Sequence, residues 1–445
     1  MPQPVSQEQR DRMARLEQEA GRVPGVDPAT PARAIHRAAI VGAGTMGGGI
    51  AMSHANAGIP VTLIDVDQAS LERGLGRIRA NYAATVAKGK LEQAEMDRRM
   101  ALIQPATDIA AAAGADIVIE AVFERMDLKL EIFAKLDRVM QPGAILASNT
   151  SMLDVDAIAA ATSRPQDVVG THFFSPANVM RLLEVVRGKA TAPAILAATL
   201  ALGRRIGKVP VVVGVCDGFV GNRMLEPYFR ESDFLLAEGA TPEQVDAALS
   251  EFGLAMGPCA MLDMAGVDVR WDVVKRKAQE RQPGQRHSEL IERLGEAGRF
   301  GQKTGAGWYR YDKGDRTPKP DPALLPILEA ESRRQGVARR GVTAREITER
   351  CLYGLVNEGA DILQEGIALR GGDIDLVYLH GYGFPAWRGG PMQWADEVGL
   401  AVIVAAIDRF QKELGSHWQV SPLLRRLASE GGSLANYRNP ALDKA

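Results

Sequence analysis

Residues 38–65 read AAIVGAGTMGGGIAMSHANAGIPVTLID. A short apolar run ends at Gly42-Ala43-Gly44-Thr45-Met46-Gly47, a helix-compatible stretch continues to Ala57, and a second apolar run closes on Asp65. A GxGxxG alone is weak. Set between a strand and a helix, and followed by a second strand ending in an acid, it is the fingerprint of a dinucleotide-binding βαβ unit. The glycines let the backbone approach a pyrophosphate, whose charge sits on the free N–H groups and positive dipole end of the helix. Gly42, Gly44, Met46 and Gly47 are therefore cofactor-binding candidates. Asp65 can accept hydrogen bonds from the adenosine ribose. Its neighbours Val66 and Asp67 include no arginine, so a 2′-phosphate would be repelled and NAD is expected over NADP. A glycine turn serving only helix–sheet packing is the plainer alternative, and it leaves the second strand and its Asp without a reason.

Outward from this unit the pattern persists. ADIVIEAVF at 115–123, AILASN at 144–149, DVVGTHFF at 167–174 and LLEVV at 182–186 are short buried-strand runs, with a helical DLKLEIFAKLDRVM at 127–140 between the first two. Strands alternating with helices predict a parallel α/β sheet. After GKVPVVVGV at 207–215 the strand signals fade and the chain reads as mostly helical. Within that helical part NRMLEPYFRESDFLLAEG at 222–239 resembles ERCLYGLVNEGADILQEG at 349–366, with Arg223/Arg350, Leu225/Leu352, Glu238/Glu365 and Gly239/Gly366 recurring at constant spacing. This reads as a duplication. The expected fold is α/β: a Rossmann-type dinucleotide-binding domain followed by two tandem, mutually similar all-helical domains. The boundaries fall at 1–32 (a charged, linker-like helix with a narrow face at Met13 and Leu16), 33–213, 214–311, a Pro-rich linker at 312–341, and 342–445.

The 445 residues carry 53 Lys and Arg against 55 Asp and Glu, a net charge of −2, so nothing electrostatic recommends a nucleic acid or an anionic membrane as partner. The longest strongly apolar run, 209–216, is too short to span a bilayer, and the N-terminus lacks the apolar core of a secretory signal. Three widely separated cysteines argue for reduced thiols, and the expected location is cytoplasmic. No His, Asp and Glu spacing suggests a metal.

Hydride removal from an alcohol needs a general base and donors that hold the developing carbonyl oxygen. Of six histidines, His172 stands out because a strand delivers it. A turn over 176–181 could fold the following run back and set Glu184 beside the imidazole, fixing its tautomer and stabilising imidazolium. Ser151 and Asn222 are short polar residues suited to holding a substrate oxygen. On pattern alone, a satisfied structural histidine remains the more frequent outcome. His54 and His380 are expected to be structural, and Glu120 to support its strand end.

GAGTMGGGIA, VIEAVFE, ASNTS, GTHFFSPANVMRLLEVV, GFVGNRML and GRFGQKTGAGWYRYD occur in the same order as in L-3-hydroxyacyl-CoA dehydrogenases. Over roughly residues 33–440 the chain most closely resembles the dehydrogenase part of the peroxisomal-type bifunctional enoyl-CoA hydratase/dehydrogenases of β-oxidation. The resemblance implies NAD as cofactor and an acyl-CoA thioester as substrate. It implies His172 and Glu184 as the catalytic pair and Ser151 and Asn222 as contacts of the substrate's 3-oxygen and thioester. Glu124, Lys129 and Lys303 would lie near NAD, and Asn81 and Lys88 near CoA. Ser175, counted with the cofactor contacts, stands where many single-function relatives have Asn. Nothing in this sequence corresponds to the hydratase domain, while residues 5–25 resemble the linker helix that follows it. The expected activity is NAD-dependent oxidation of (S)-3-hydroxyacyl-CoA. A non-catalytic NAD-binding relative is disfavoured because all four site residues are present. A subunit that docks a separate hydratase or thiolase is the other alternative. The second helical copy should stand in for a dimer mate, giving a monomer.

Overall fold

The computed structural model describes residues 3–27, 32–281, 284–440 and 442. Residues 28–31, in the Pro- and Gly-containing break after the first helix, lie outside the described residues. Two compact units form: residues 6–223 with 362–382 and 436 onward, and residues 224–361 with 383–435.

The first unit is built on one eight-stranded sheet. Its strands are β1 (Ala38–Val41), β2 (Val61–Ile64), β3 (Ile103–Ala106), β4 (Ile117–Glu120), β5 (Ile145–Ser148), β6 (Val168–Phe173), β7 (Leu182–Arg187) and β8 (Val209–Gly214). The order is β3-β2-β1-β4-β5-β6-β7-β8, with every neighbouring pair parallel except β6–β7. The apolar runs need no alternation because helices cover the sheet; β1, β4, β5 and β6 are buried at every position. The N-terminal α1 (Gln7–Glu19) starts at Ser6, whose hydroxyl accepts from Gln9 N at 3.1 Å. Among the helices that follow strands are α2 (Thr45–Asn56), α3 (Gln68–Ala87) and α4 (Met126–Val139).

His54 on α2 is fully buried, its Nδ1 at 2.8 Å from the Ile50 carbonyl and its Nε2 without a partner. Burial pushes this imidazole down to about 4; the Ile50 carbonyl opposes the shift, and Lys208 and Arg205 add to it. Its folded-state value lies below the ordinary 6.5, so stability present above pH 6.5 is lost as pH falls towards 4. We expect urea unfolding to show up to about 3 kcal/mol of this loss, and His54→Leu to flatten stability against pH in that window. An unchanged slope in the variant would assign the acid sensitivity elsewhere.

The helical half opens with α5 (Gly221–Glu238), followed later by α6 (Pro258–Ala265) and α7 (Val267–Lys277). The stretch expected to be a linker over 312–341 carries a helix, α8 (Leu325–Gln335), because Leu328, Glu331 and Ser332 face inward and the Ser332 hydroxyl donates to Ala237 O at 2.7 Å. Then come α9 (Ala344–Glu365), α10 (Gly371–Gly381), α11 (Pro391–Val398) and α12 (Leu400–Leu414). The duplication is visible in backbone detail. α6 and α11 each start Gly-Pro and span 8 residues. The glycine after each has φ/ψ of 104°/117° and 95°/117°, a region that favours glycine, and the next helix starts at once. Asp263 and Asp396, at matching places in these helices, each bind two backbone N–H groups of a later segment. The recurring Arg and Glu pair crosswise: Arg350 with Glu238, and Arg223 with Glu365. Helix α10, in the second copy, belongs to the sheet unit.

Candidate active site

The parallel strands bring the carboxyl ends of β1, β4 and β5 side by side, where a dinucleotide-binding crevice forms in sheets of this order. A cavity of about 810 Å³ lies there, lined by the glycine loop, Met46, Asp65, Arg73, Val122 and Phe123 among others. The loop must be this tight: a Cβ on Gly47 would lie 1.7 Å from Gly42 O, and Gly42 has a φ of +105° with Ala121 O behind it. Beside Gly44, by contrast, the space is open, and no side chain caps the first N–H groups of α2. A pyrophosphate fits that opening. The Asp65 carboxylate accepts Ala43 N and Val66 N, each at 2.7 Å, which leaves lone pairs for ribose hydroxyls. One expectation needs correcting. Although Asp65 has no arginine neighbour in sequence, α3 returns Arg73 and Arg77 to the same cavity. Arg73 binds the Ser70 hydroxyl at 2.8 Å and Arg77 the Ala43 carbonyl at 2.7 Å.

Glu120 supports its strand end: it accepts Val122 N, the Ser148 hydroxyl and the buried Lys129 ammonium, all at 2.7–2.8 Å. Lys129 also reaches Glu124 at 3.2 Å. Glu124 in turn accepts the Thr150 hydroxyl and Ser151 N at 2.6 Å and the Ser151 hydroxyl at 3.1 Å. Burial would raise the Glu124 carboxyl, but Lys129 and these hydrogen bonds outweigh it and hold it below its ordinary value. Glu124 thus holds Ser151, with Lys129 behind it.

His172 and Glu184 are directly opposite partners in the antiparallel β6–β7 pair. The turn between them is held by Met180 N bonding Pro176 O at 2.9 Å, and by the buried Lys208 ammonium, which donates to Ala177 O and Met180 O. His172 Nδ1 lies 2.7 Å from Glu184 Oε2. A carboxylate only accepts, so Nδ1 carries the hydrogen, and in the neutral imidazole the lone pair is on Nε2. The other carboxylate oxygen accepts Gly221 N at 3.0 Å and Val220 N at 3.3 Å, so the start of α5 stabilises the anion. Asn222, next along α5, donates from Nδ2 to Ser151 O at 3.3 Å. The fold therefore gathers Ser151, His172, Glu184 and Asn222 from four separate elements.

Sequence reasoning missed the residues that surround them. Phe174 lies 4.3 Å from the His172 ring. At the end of α10, the Tyr382 hydroxyl donates to Asn222 Oδ1 at 2.8 Å, and Tyr378 donates to Gly221 O at 3.1 Å. The singled-out His380 points elsewhere, its Nε2 at 3.0 Å from Glu17 of α1, where Arg12 also binds Asp375 at 2.6 Å. Among the remaining candidates, Asn81 and Lys88 are exposed at α3, and Ser175 is exposed after β6. Lys303 belongs to the other unit and pairs with Asp268 at 2.5 Å.

This is the framework of a dinucleotide-binding protein. Residues 37–216 match the family described as "3-hydroxyacyl-CoA dehydrogenase, NAD binding domain", and 218–311 and 347–435 both match its "C-terminal domain". The chain belongs to the 3-hydroxyacyl-CoA dehydrogenase family, and its cofactor is NAD. It is 45% identical over 413 residues to the peroxisomal bifunctional enzyme of Danio rerio and 43% identical to that of Homo sapiens. Each alignment covers 90% of this chain and 57% of the relative, so the chain spans little more than half the length of these relatives. Among solved structures, 3-hydroxybutyryl-CoA dehydrogenase from Escherichia coli is 28% identical with a TM-score of 0.78, covering 89% of this chain and 99% of that one. The dehydrogenase part of a C. elegans multifunctional enzyme is 29% identical with a TM-score of 0.68, covering 94% and 96%.

Proposed function

We propose that the chain oxidises (S)-3-hydroxyacyl-CoA to 3-oxoacyl-CoA with NAD, in fatty acid β-oxidation or related acyl-CoA catabolism, with His172 as general base. The observation that carries this reading is the 2.7 Å His172–Glu184 pair, in the same unit as the glycine loop. NAD, held by the glycine loop and Asp65, would supply the hydride acceptor. The hydroxyl proton passes to His172 Nε2, and Glu184, fixed by Gly221 N, stabilises the imidazolium that results. Ser151 and Asn222 hold the 3-oxygen as the carbonyl forms. Glu124, backed by Lys129, orients Ser151, and with Met46 and Ser175 these residues complete the proposed cofactor contacts. Asn81 and Lys88 are the proposed CoA contacts. The test is a panel of C4 to C16 3-oxoacyl-CoA thioesters followed by NADH absorbance; no turnover with any member would reject the reading.

Asp65→Ala should bring NADP turnover close to that with NAD, because it removes the ribose acceptors and the repulsion of a 2′-phosphate while Arg73 stays at the cavity. If NAD preference survives in the variant, Asp65 is not the selecting residue. The domain division at 33–213, 214–311 and 342–445, the monomeric state and a separate hydratase or thiolase partner belong to the same proposal. The monomer is checked by sedimentation near 47.9 kDa. A hydratase partner has chemical sense, because hydration of an enoyl-CoA yields the 3-hydroxy substrate. For location, relatives named peroxisomal do not support the cytoplasmic expectation, and immunolocalisation of the native chain decides between them.

A further inference from the structure

We propose that Tyr382 is a positioning residue for substrate: its hydroxyl fixes the Asn222 side-chain amide so that an N–H, and not the carbonyl oxygen, meets the substrate's 3-oxygen. This rests on the proposed role of Asn222 in holding that oxygen.

A primary amide has nearly the same shape after a half-turn, but donor and acceptor exchange places. At Asn222 two neighbours remove the ambiguity. Ser151 O can only accept, and it lies 3.3 Å from Nδ2. The Tyr382 hydroxyl then donates to Oδ1 at 2.8 Å. With one N–H on Ser151 O, the second is available to a ligand, and it donates where negative charge gathers as hydride moves. Burial first, with Glu184 and Tyr378 adding, holds the Tyr382 phenol well above its ordinary value, so it stays a donor.

The ring itself is closely held. Tyr378 stacks on it at 4.9 Å and Phe174 meets it edge-on at 5.4 Å. Gly221 also leaves no room: a Cβ there would lie 2.2 Å from the ring. The same two residues of α5, Gly221 and Asn222, thus receive Glu184 through one backbone N–H and two tyrosine hydroxyls from α10. Helix α10 is itself tied to α1 through Asp375–Arg12 and His380–Glu17.

Tyr382→Phe keeps the ring and deletes the hydroxyl. It should lower kcat for 3-oxoacyl-CoA reduction about five- to twentyfold, as an amide free to flip presents its oxygen part of the time, with KM for NADH unchanged. In an Asn222→Ala background the same substitution should change kcat less than twofold, because it acts through Asn222. A similar drop in both backgrounds, or none in the wild-type background, overturns the proposal. A readout without turnover is the Asn222 side-chain amide cross-peak in protein labelled with 15N-asparagine, identified by its loss in Asn222→Ala. It should shift or broaden in Tyr382→Phe, and an unchanged cross-peak overturns the proposal whatever the kinetics. If wild-type protein reduces none of the thioesters, the function fails instead, and this cross-peak alone decides whether Tyr382 fixes the amide.

Discussion

In His172→Gln, kcat for 3-hydroxyacyl-CoA oxidation should fall about 10²–10⁴-fold while NADH affinity stays nearly intact, the usual contribution of a positioned base. Glutamine can still donate to Glu184, so the hairpin and the carboxylate keep their arrangement, and what disappears is the Nε2 lone pair. Stopped-flow or steady-state NADH absorbance gives kcat, and fluorescence titration gives NADH affinity. Activity within threefold of wild type removes His172 from the base role.

The second large effect is on stability. Arg350 is fully buried and spends its guanidinium on Glu231 at 3.0 Å, Glu238 at 2.6 and 3.1 Å, and Glu346 at 3.3 Å. Burial would raise the Glu231 carboxyl, yet His417, Arg230 and Arg350 bring it down to about 2, so it is an anion held in a dry setting by its partners. Arg350→Met strands these carboxylates and should cost about 3–5 kcal/mol. Its crosswise counterpart makes the comparison sharp. Arg223 grips Glu365 with two bonds of 2.6 and 2.8 Å, but the Glu365 side chain is 48% exposed. Water can replace that partner, so Arg223→Met should cost about 1 kcal/mol or less. Chemical denaturation of both variants tests this, and equal losses would show that burial does not govern the pair.

How far the sequence could be read follows from how local each feature is. The glycine loop, Asp65 and the strands around them were legible because one βαβ unit carries its own punctuation. The Glu184 carboxylate was placed beside His172 because a hairpin turn needs only a few residues. Arginine near the cofactor was misjudged because α3 brings Arg73 and Arg77 to the cavity that Asp65 lines, a proximity that neighbouring letters do not encode. The helix at 325–335 was hidden by the prolines around it, although Leu328, Glu331 and Ser332 carry the signal at helical spacing. Tyr382 lay beyond reach. It meets Asn222 from 160 positions away, and in LHGYGFP the histidine draws attention two residues too early.

The clearance at Gly221 ties two distant codons into one inheritance. Any side chain at 221 would collide with the Tyr382 ring, and a smaller residue at 382 would free position 221 to accept alanine at the cost of the hydroxyl that Asn222 uses. Drift at the glycine is therefore blocked until the tyrosine has changed. Lineages that keep the tyrosine should keep the glycine, and a lineage that has lost the tyrosine should show its first tolerated substitutions at the glycine.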